Sequence, residues 1–132
     1  METEVTRTPE YNEQKARLFE IMKLSYVIFR IDIKGETLSR KQYQKRASRM
    51  FKGLRERIST LISKWEALTT ELYGVPYNLE GLQGAAVVEG RTMYQMSKPK
   101  ERQALKEVCQ QRLTEILPKP KRKRITAIKV TR

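Results

Sequence analysis

The chain has 132 residues, 33% of them charged and 39% hydrophobic, with a net charge of +13, one cysteine and no histidine. That suits one soluble domain with a modest core, and no apolar run approaches the roughly 18 residues of a membrane span. The lone Cys109 excludes an intramolecular disulfide, and the missing histidine excludes His-ligated zinc and Ser-His or Cys-His nucleophile pairs.

Asp32 is the only aspartate, and no carboxylates cluster in the way metal-dependent nuclease chemistry requires. No Gly-rich phosphate loop with a lysine is present either. The expectation is a protein that is not an enzyme and uses no cofactor. Its charge is blocked: residues 38–57 carry eight Lys or Arg against one Glu, residues 98–132 carry twelve against three, and the remainder is slightly acidic. Solubility does not require blocks, whereas a polyanionic partner explains them.

Residues 1–8 read as disordered and, being acidic and polar, not as a secretory signal. Thr8, Pro9 and Glu10 then form a helix start, with Pro in the first turn and Glu at the positive end of the dipole. Tyr11, Leu18, Ile21, Met22, Tyr26 and Phe29 follow at helical spacing. The end of this segment has two readings. In YVIFRIDIK, Val27, Phe29, Ile31 and Ile33 alternate as in a strand, or the helix continues to about Ile31. The helix is favoured, because no second strand exists to pair with this one. KGET is the next turn.

A second helix is predicted over Arg40–Tyr73. Ser39 is its cap, Gln42 the capping-box partner, and Leu38 and Tyr43 are spaced as a hydrophobic staple. Tyr43, Ala47, Met50, Leu54, Ile58, Leu61, Trp65, Leu68 and Leu72 recur at steps of three and four and make one apolar stripe. Lys41, Lys45, Arg49 and Lys52 fall opposite, flanked by Arg40, Arg46, Arg55 and Arg57. Gly74 is placed to end the helix in the left-handed conformation, with Pro76 beyond.

These cations weaken their own helix. Arg40 and Lys41 sit at the positive end of the dipole, and Lys41–Lys45 and Lys45–Arg49 are like-charge pairs one turn apart. The pattern also stops at Arg57, while the helix is predicted to continue. A solvating face has no reason to end halfway; a phosphate-tracking face does.

The third helix is predicted over Leu79–Met96. Gly81, Ala85 and Val88 form a small-residue strip suited to close helix approach, within the chain or between subunits, beside a bulkier strip of Leu82, Ala86, Met93 and Met96. GLQG at residues 81–84 matches the KH-domain loop in letters only, since the strands around such a loop are missing. A fourth helix opens at Pro99, capped by Ser97 or Lys98, and runs to about Leu117 with Leu105, Val108, Cys109, Leu113 and Ile116 on one face. Cys109 reads as a core residue.

Lys98, Lys100, Arg102 and Lys106 make the start of this helix basic. Pro118 and Pro120 end it, and the tail adds Lys119, Lys121, Arg122, Lys123 and Arg124. The expected fold is therefore all-α, a bundle of about four helices over residues 1–117 with a disordered or arm-like basic tail over 118–132.

No base-reading module is recognisable, so the basic blocks imply contact with phosphate rather than with sequence. Over residues 40–112 the chain resembles, in size, helical pattern and basic faces, the small subunit of CRISPR interference complexes. The resemblance implies a non-catalytic subunit, present in several copies, that contacts guide RNA or displaced single-stranded DNA through the backbone. It carries over no residue-level motif, so the candidate residues above come from the charge pattern alone. YVIFRIDI and the basic tail depart from it.

The partners expected are RNA or single-stranded DNA, other ribonucleoprotein subunits and copies of the same chain, with no membrane. The location expected is the cytoplasm of a prokaryote. A plasmid or phage DNA-binding accessory protein, a nuclear or ribosomal RNA-binding protein with PKPKRKR as an import signal, and a scaffold for an acidic protein are the alternatives.

Overall fold

The computed structural model describes residues 9–33, 37–74 and 78–118. Five helices follow in order: α1 (Pro9–Asp32), α2 (Arg40–Arg57), α3 (Ser59–Tyr73), α4 (Leu79–Met96) and α5 (Arg102–Ile116), with a 3-10 turn at Pro99–Glu101 before the last. No strand occurs among the described residues. The Thr8 cap, most of the KGET turn and the tail from Lys119 onward lie outside them.

YVIFRID is helical, with Ile33 in the turn that follows, and α2, α3, α4 and α5 all pack on α1. Leu18, Ile21, Met22 and Val27 are fully buried there. A helix covered on several sides is apolar around most of its circumference, which is why its end also fits an alternating pattern. α4 and α5 cover it most extensively. Cys109 of α5 is fully buried, and burial pushes its thiol pKa up. The last turn of α5 is tied back to α1 by Arg17, whose Nε donates to the Ile116 carbonyl at 2.7 Å.

α2 starts as its local chemistry dictates. Gln42 N–H donates to Ser39 Oγ at 3.1 Å, and Ser39 N–H donates to Gln42 Oε1 at 3.0 Å. At the far end of α3, Gly74 adopts φ 84° and its N–H donates to the Thr70 carbonyl at 2.8 Å.

Between these points the single expected helix is two, so the described helices number five rather than four. The break is at Ile58 (φ −106°, ψ 25°), although its N–H still reaches the Leu54 carbonyl and its own carbonyl still accepts from Ile62, both at 3.0 Å. A straight helix from 40 to 73 would run about 50 Å, against about 36 Å for α1. The bend lets both halves keep an apolar face on α1 while running back along it. Tyr26 and Phe29 meet Phe51 and Tyr43 of α2, and Tyr11 meets Trp65 and Tyr73 of α3. Ile58 and Trp65 are fully buried, as are Phe51 and Ile62 to within a few per cent, whereas Leu54, Leu68 and Leu72 are only partly covered. Thr69, also buried, donates its hydroxyl to the Trp65 carbonyl at 2.8 Å.

Within the chain, α4 does not pack through the small-residue strip. Gly81, Ala85 and Val88 are exposed, and α4 meets α1 through Leu82, Ala86, Gly90 and Tyr94. At Gly90 an added Cβ would come within 3.0 Å of Tyr26 Cδ2 and 3.1 Å of the Lys23 carbonyl oxygen. GLQG lies in the first turns of α4 and is not a loop; Gly81 N–H donates to the capping Asn78 side chain at 3.2 Å.

Candidate nucleic-acid interface

With Tyr43, Ala47, Met50, Phe51 and Leu54 turned toward α1, the opposite side of α2 presents Lys41, Lys45, Arg49 and Lys52 to solvent. Each step of three or four residues along the row advances about 5–6 Å, roughly the phosphate spacing of an extended strand. The ion pairs among the described residues engage Lys106 and Arg112 and no member of this row. The first turn of α2 carries no acid, and Glu56 is the one acidic residue of the helix.

The flanking residues divide. Arg40 and Arg57 are exposed. Arg46 is partly buried and, with Arg49 and Arg57, lines a groove between α2, α1 and α5. Arg55 turns to the other side and donates to Gln83 Oε1 of α4 at 2.7 Å, joining two helices.

The fourth-helix candidates divide the same way. Lys98 and Lys100 are exposed. Arg102 lies over the Tyr94 ring, 4.1 Å from its centroid, and donates to Ser97 Oγ and the Ser97 carbonyl, both at 3.1 Å. Lys106 pairs with Asp32 at 2.6 Å. Arg112 pairs with Glu20 and Glu115. Lys119, Lys121, Arg122, Lys123 and Arg124 lie outside the described residues. The structure thus gathers Lys41, Lys45, Arg49 and Lys52 on one helix side, and gives Arg55, Arg102 and Lys106 partners within the fold.

The start of α2 is held by a cluster that charge counting does not reveal. Arg30 of α1 lies 4.6 Å from the Tyr94 ring centroid and about 6 Å from those of Tyr26 and Tyr43, and donates to the Tyr26 hydroxyl at 3.3 Å. The Tyr26 and Tyr43 hydroxyls hydrogen-bond to each other. Burial, with the Tyr26 hydrogen bond, pushes the Tyr43 phenol up to about 12. Burial also opposes ionisation of Tyr26, but the hydrogen bonds from Tyr43 and Arg30 and the guanidinium charge outweigh it, and its pKa falls. The signal in sequence was only tyrosines at 26, 43 and 94 with an arginine at 30, too far apart to associate.

Among the described residues, no group of three His, Cys, Asp or Glu side chains gathers as metal ligands, and no helix is long and apolar enough to cross a membrane. No protein-family model, curated protein or solved structure matches this chain.

Proposed function

We propose that this protein binds nucleic acid through the phosphate backbone, without catalysis and without reading sequence, as a small subunit of a ribonucleoprotein complex. The observation that carries the reading is the solvent-facing row of Lys41, Lys45, Arg49 and Lys52, set on a helix that repels itself to keep it. Neutralising phosphates and releasing their counterions gives such a row a use.

The resemblance to CRISPR small subunits makes an interference complex the assembly of choice, with guide RNA or displaced single-stranded DNA as the strand. The helices form one bundle in this reading, and the basic tail adds a second phosphate-binding arm. A protein that does not read bases gains affinity by repetition along a strand, so several copies per complex are expected.

Purification from the host at low salt tests the proposal. RNA or single-stranded DNA should co-purify, become nuclease-sensitive, and be released as salt rises from about 50 to 200 mM. Recovery of an acidic protein with no nucleic acid would overturn it.

A further inference from the structure

Beside the α2 row lies the open groove to which Arg46, Arg49 and Arg57 contribute. Its volume is about 580 Å³, within the usual range for small-ligand sites. Phe29, Met50 and Leu113 give it an apolar floor, and the three arginines stand along its α2 wall. The acid among its lining residues, Asp32, is held by Lys106, and Arg49 and Arg57 are exposed beside it.

Gly53 stands in that wall one turn from both Arg49 and Arg57. A glycine inside an exposed helix costs about 1 kcal/mol relative to alanine. The usual structural reasons for it do not apply here. Positive φ among the described glycines occurs at Gly74 and not at Gly53, and a Cβ at Gly53 would meet nothing within 4 Å. No packed helix needs the space, in contrast to Gly90. Gly84 of α4 is equally unobstructed; what sets Gly53 apart is its place in the groove wall, where the missing side chain leaves the wall low between two arginines.

We propose that the groove takes an unpaired nucleobase from a strand whose phosphates lie on the α2 row, so that the protein prefers single strands to duplex. The proposal rests on the phosphate-binding reading above. Arg49 belongs to both features, so a strand on the row passes the mouth of the groove. A flat, weakly polar ring against the partly exposed Met50, with the largely buried Phe29 beneath and its phosphate near Arg49 and Arg57, satisfies the apolar and cationic parts together. A duplex can offer such a base only by unpairing it. Every base has a stacking face, so this selects for single strands without selecting sequence.

Fluorescence anisotropy tests the proposal with three labelled probes: a 15-nucleotide oligothymidylate, an abasic strand with the same phosphates, and a 15-base-pair duplex. The parent should bind the oligothymidylate about tenfold more tightly than the abasic strand, with matching salt slopes, and should favour it over the duplex. Gly53→Leu, which fills the notch without changing charge, should collapse the ratio between the first two probes toward one. Gly53→Gln should do the same with a polar side chain, and circular dichroism checks that both variants fold. Equal, salt-dependent binding of base-bearing and abasic strands by the parent would overturn the groove proposal and leave the backbone reading standing. No salt-dependent binding to any probe would overturn both. Binding of an acidic apolar peptide that Gly53→Leu abolishes, without single-strand preference, would overturn the assignment in favour of a protein ligand.

Discussion

On α2, Lys41, Lys45, Arg49 and Lys52 face solvent with no acid between them, and Glu56 comes only after the row ends. On α5 and the turn before it, Arg102 is folded onto Tyr94 and Ser97, Lys106 onto Asp32, and Arg112 onto Glu20 and Glu115. Both stretches are rich in Lys and Arg, yet in the second most of the described cations have partners in the chain, some of them at the surface. A count of basic residues measures neither burial nor pairing. The cations that matter for a polyanion are those the fold leaves without an internal task, and by that criterion α2 outranks α5.

The largest expected effect follows directly. Replacing Lys45, Arg49 and Lys52 together by Gln should weaken binding on the order of 100-fold at 0.1 M salt and flatten the salt slope by about 2–3 units, equally for all sequences. Thermal stability should hold or rise, because the variant relieves like-charge pairs on an exposed face. An unchanged affinity and slope would break the comparison and return the role to Lys98, Lys100 and the tail.

A second prediction concerns how α2 is attached. Tyr43 holds its proton to about pH 12 in the fold, against about 10 for an unfolded tyrosine. Between those values the unfolded chain binds fewer protons than the folded one at this site, so its contribution to stability is full below pH 10 and is lost as pH rises toward 12. Absorbance at 295 nm should show the Tyr26–Tyr43 pair titrating in two separated steps, one of them late, and Tyr43→Phe should remove that separation. Titration of all tyrosines together near pH 10 would mean that the cluster with Arg30 does not anchor α2 in solution.

How much of this was legible in the sequence depended on the range of the interaction. The start of α2 at Ser39 and Gln42 and the stop at Gly74 were readable because cap chemistry acts within four residues. The helical course of α1 was readable only by elimination, since a helix covered on several sides loses its one-sided pattern. The break at Ile58 was invisible, because the apolar spacing from Leu54 through Ile58 to Leu61 continues unchanged across it. The strip of Gly81, Ala85 and Val88 suits an approach within the chain or between subunits, and only the tertiary contact of Gly90 with Tyr26 and Lys23 shows which face α4 packs within the chain. The α2 row was legible because a charged face opposite an apolar stripe is a local pattern. The groove beside it was not, because its floor combines α1, α2 and α5. The tasks of Arg102 and Lys106 were hidden for the same reason, their partners Tyr94 and Asp32 lying 8 and 74 positions away.

The smallest expected effect completes the comparison from the other side. Lys106→Gln combined with Arg112→Gln removes two formal charges near the basic block of α5, nearly as many as the α2 triple variant. If net charge alone governed binding, affinity should fall by a comparable factor. The pairing says otherwise. Lys106 is engaged with Asp32 at 2.6 Å and Arg112 with Glu20 at 3.2 Å, so each phosphate contact would first have to displace a carboxylate. The double variant should therefore change affinity by no more than about twofold and leave the salt slope within half a unit. Its effect should appear in stability instead, as a small downward shift of the urea midpoint without a change in slope. A salt slope reduced by about 2 units with stability unchanged would show that these pairs open readily for phosphate, and that α5 shares the interface with α2.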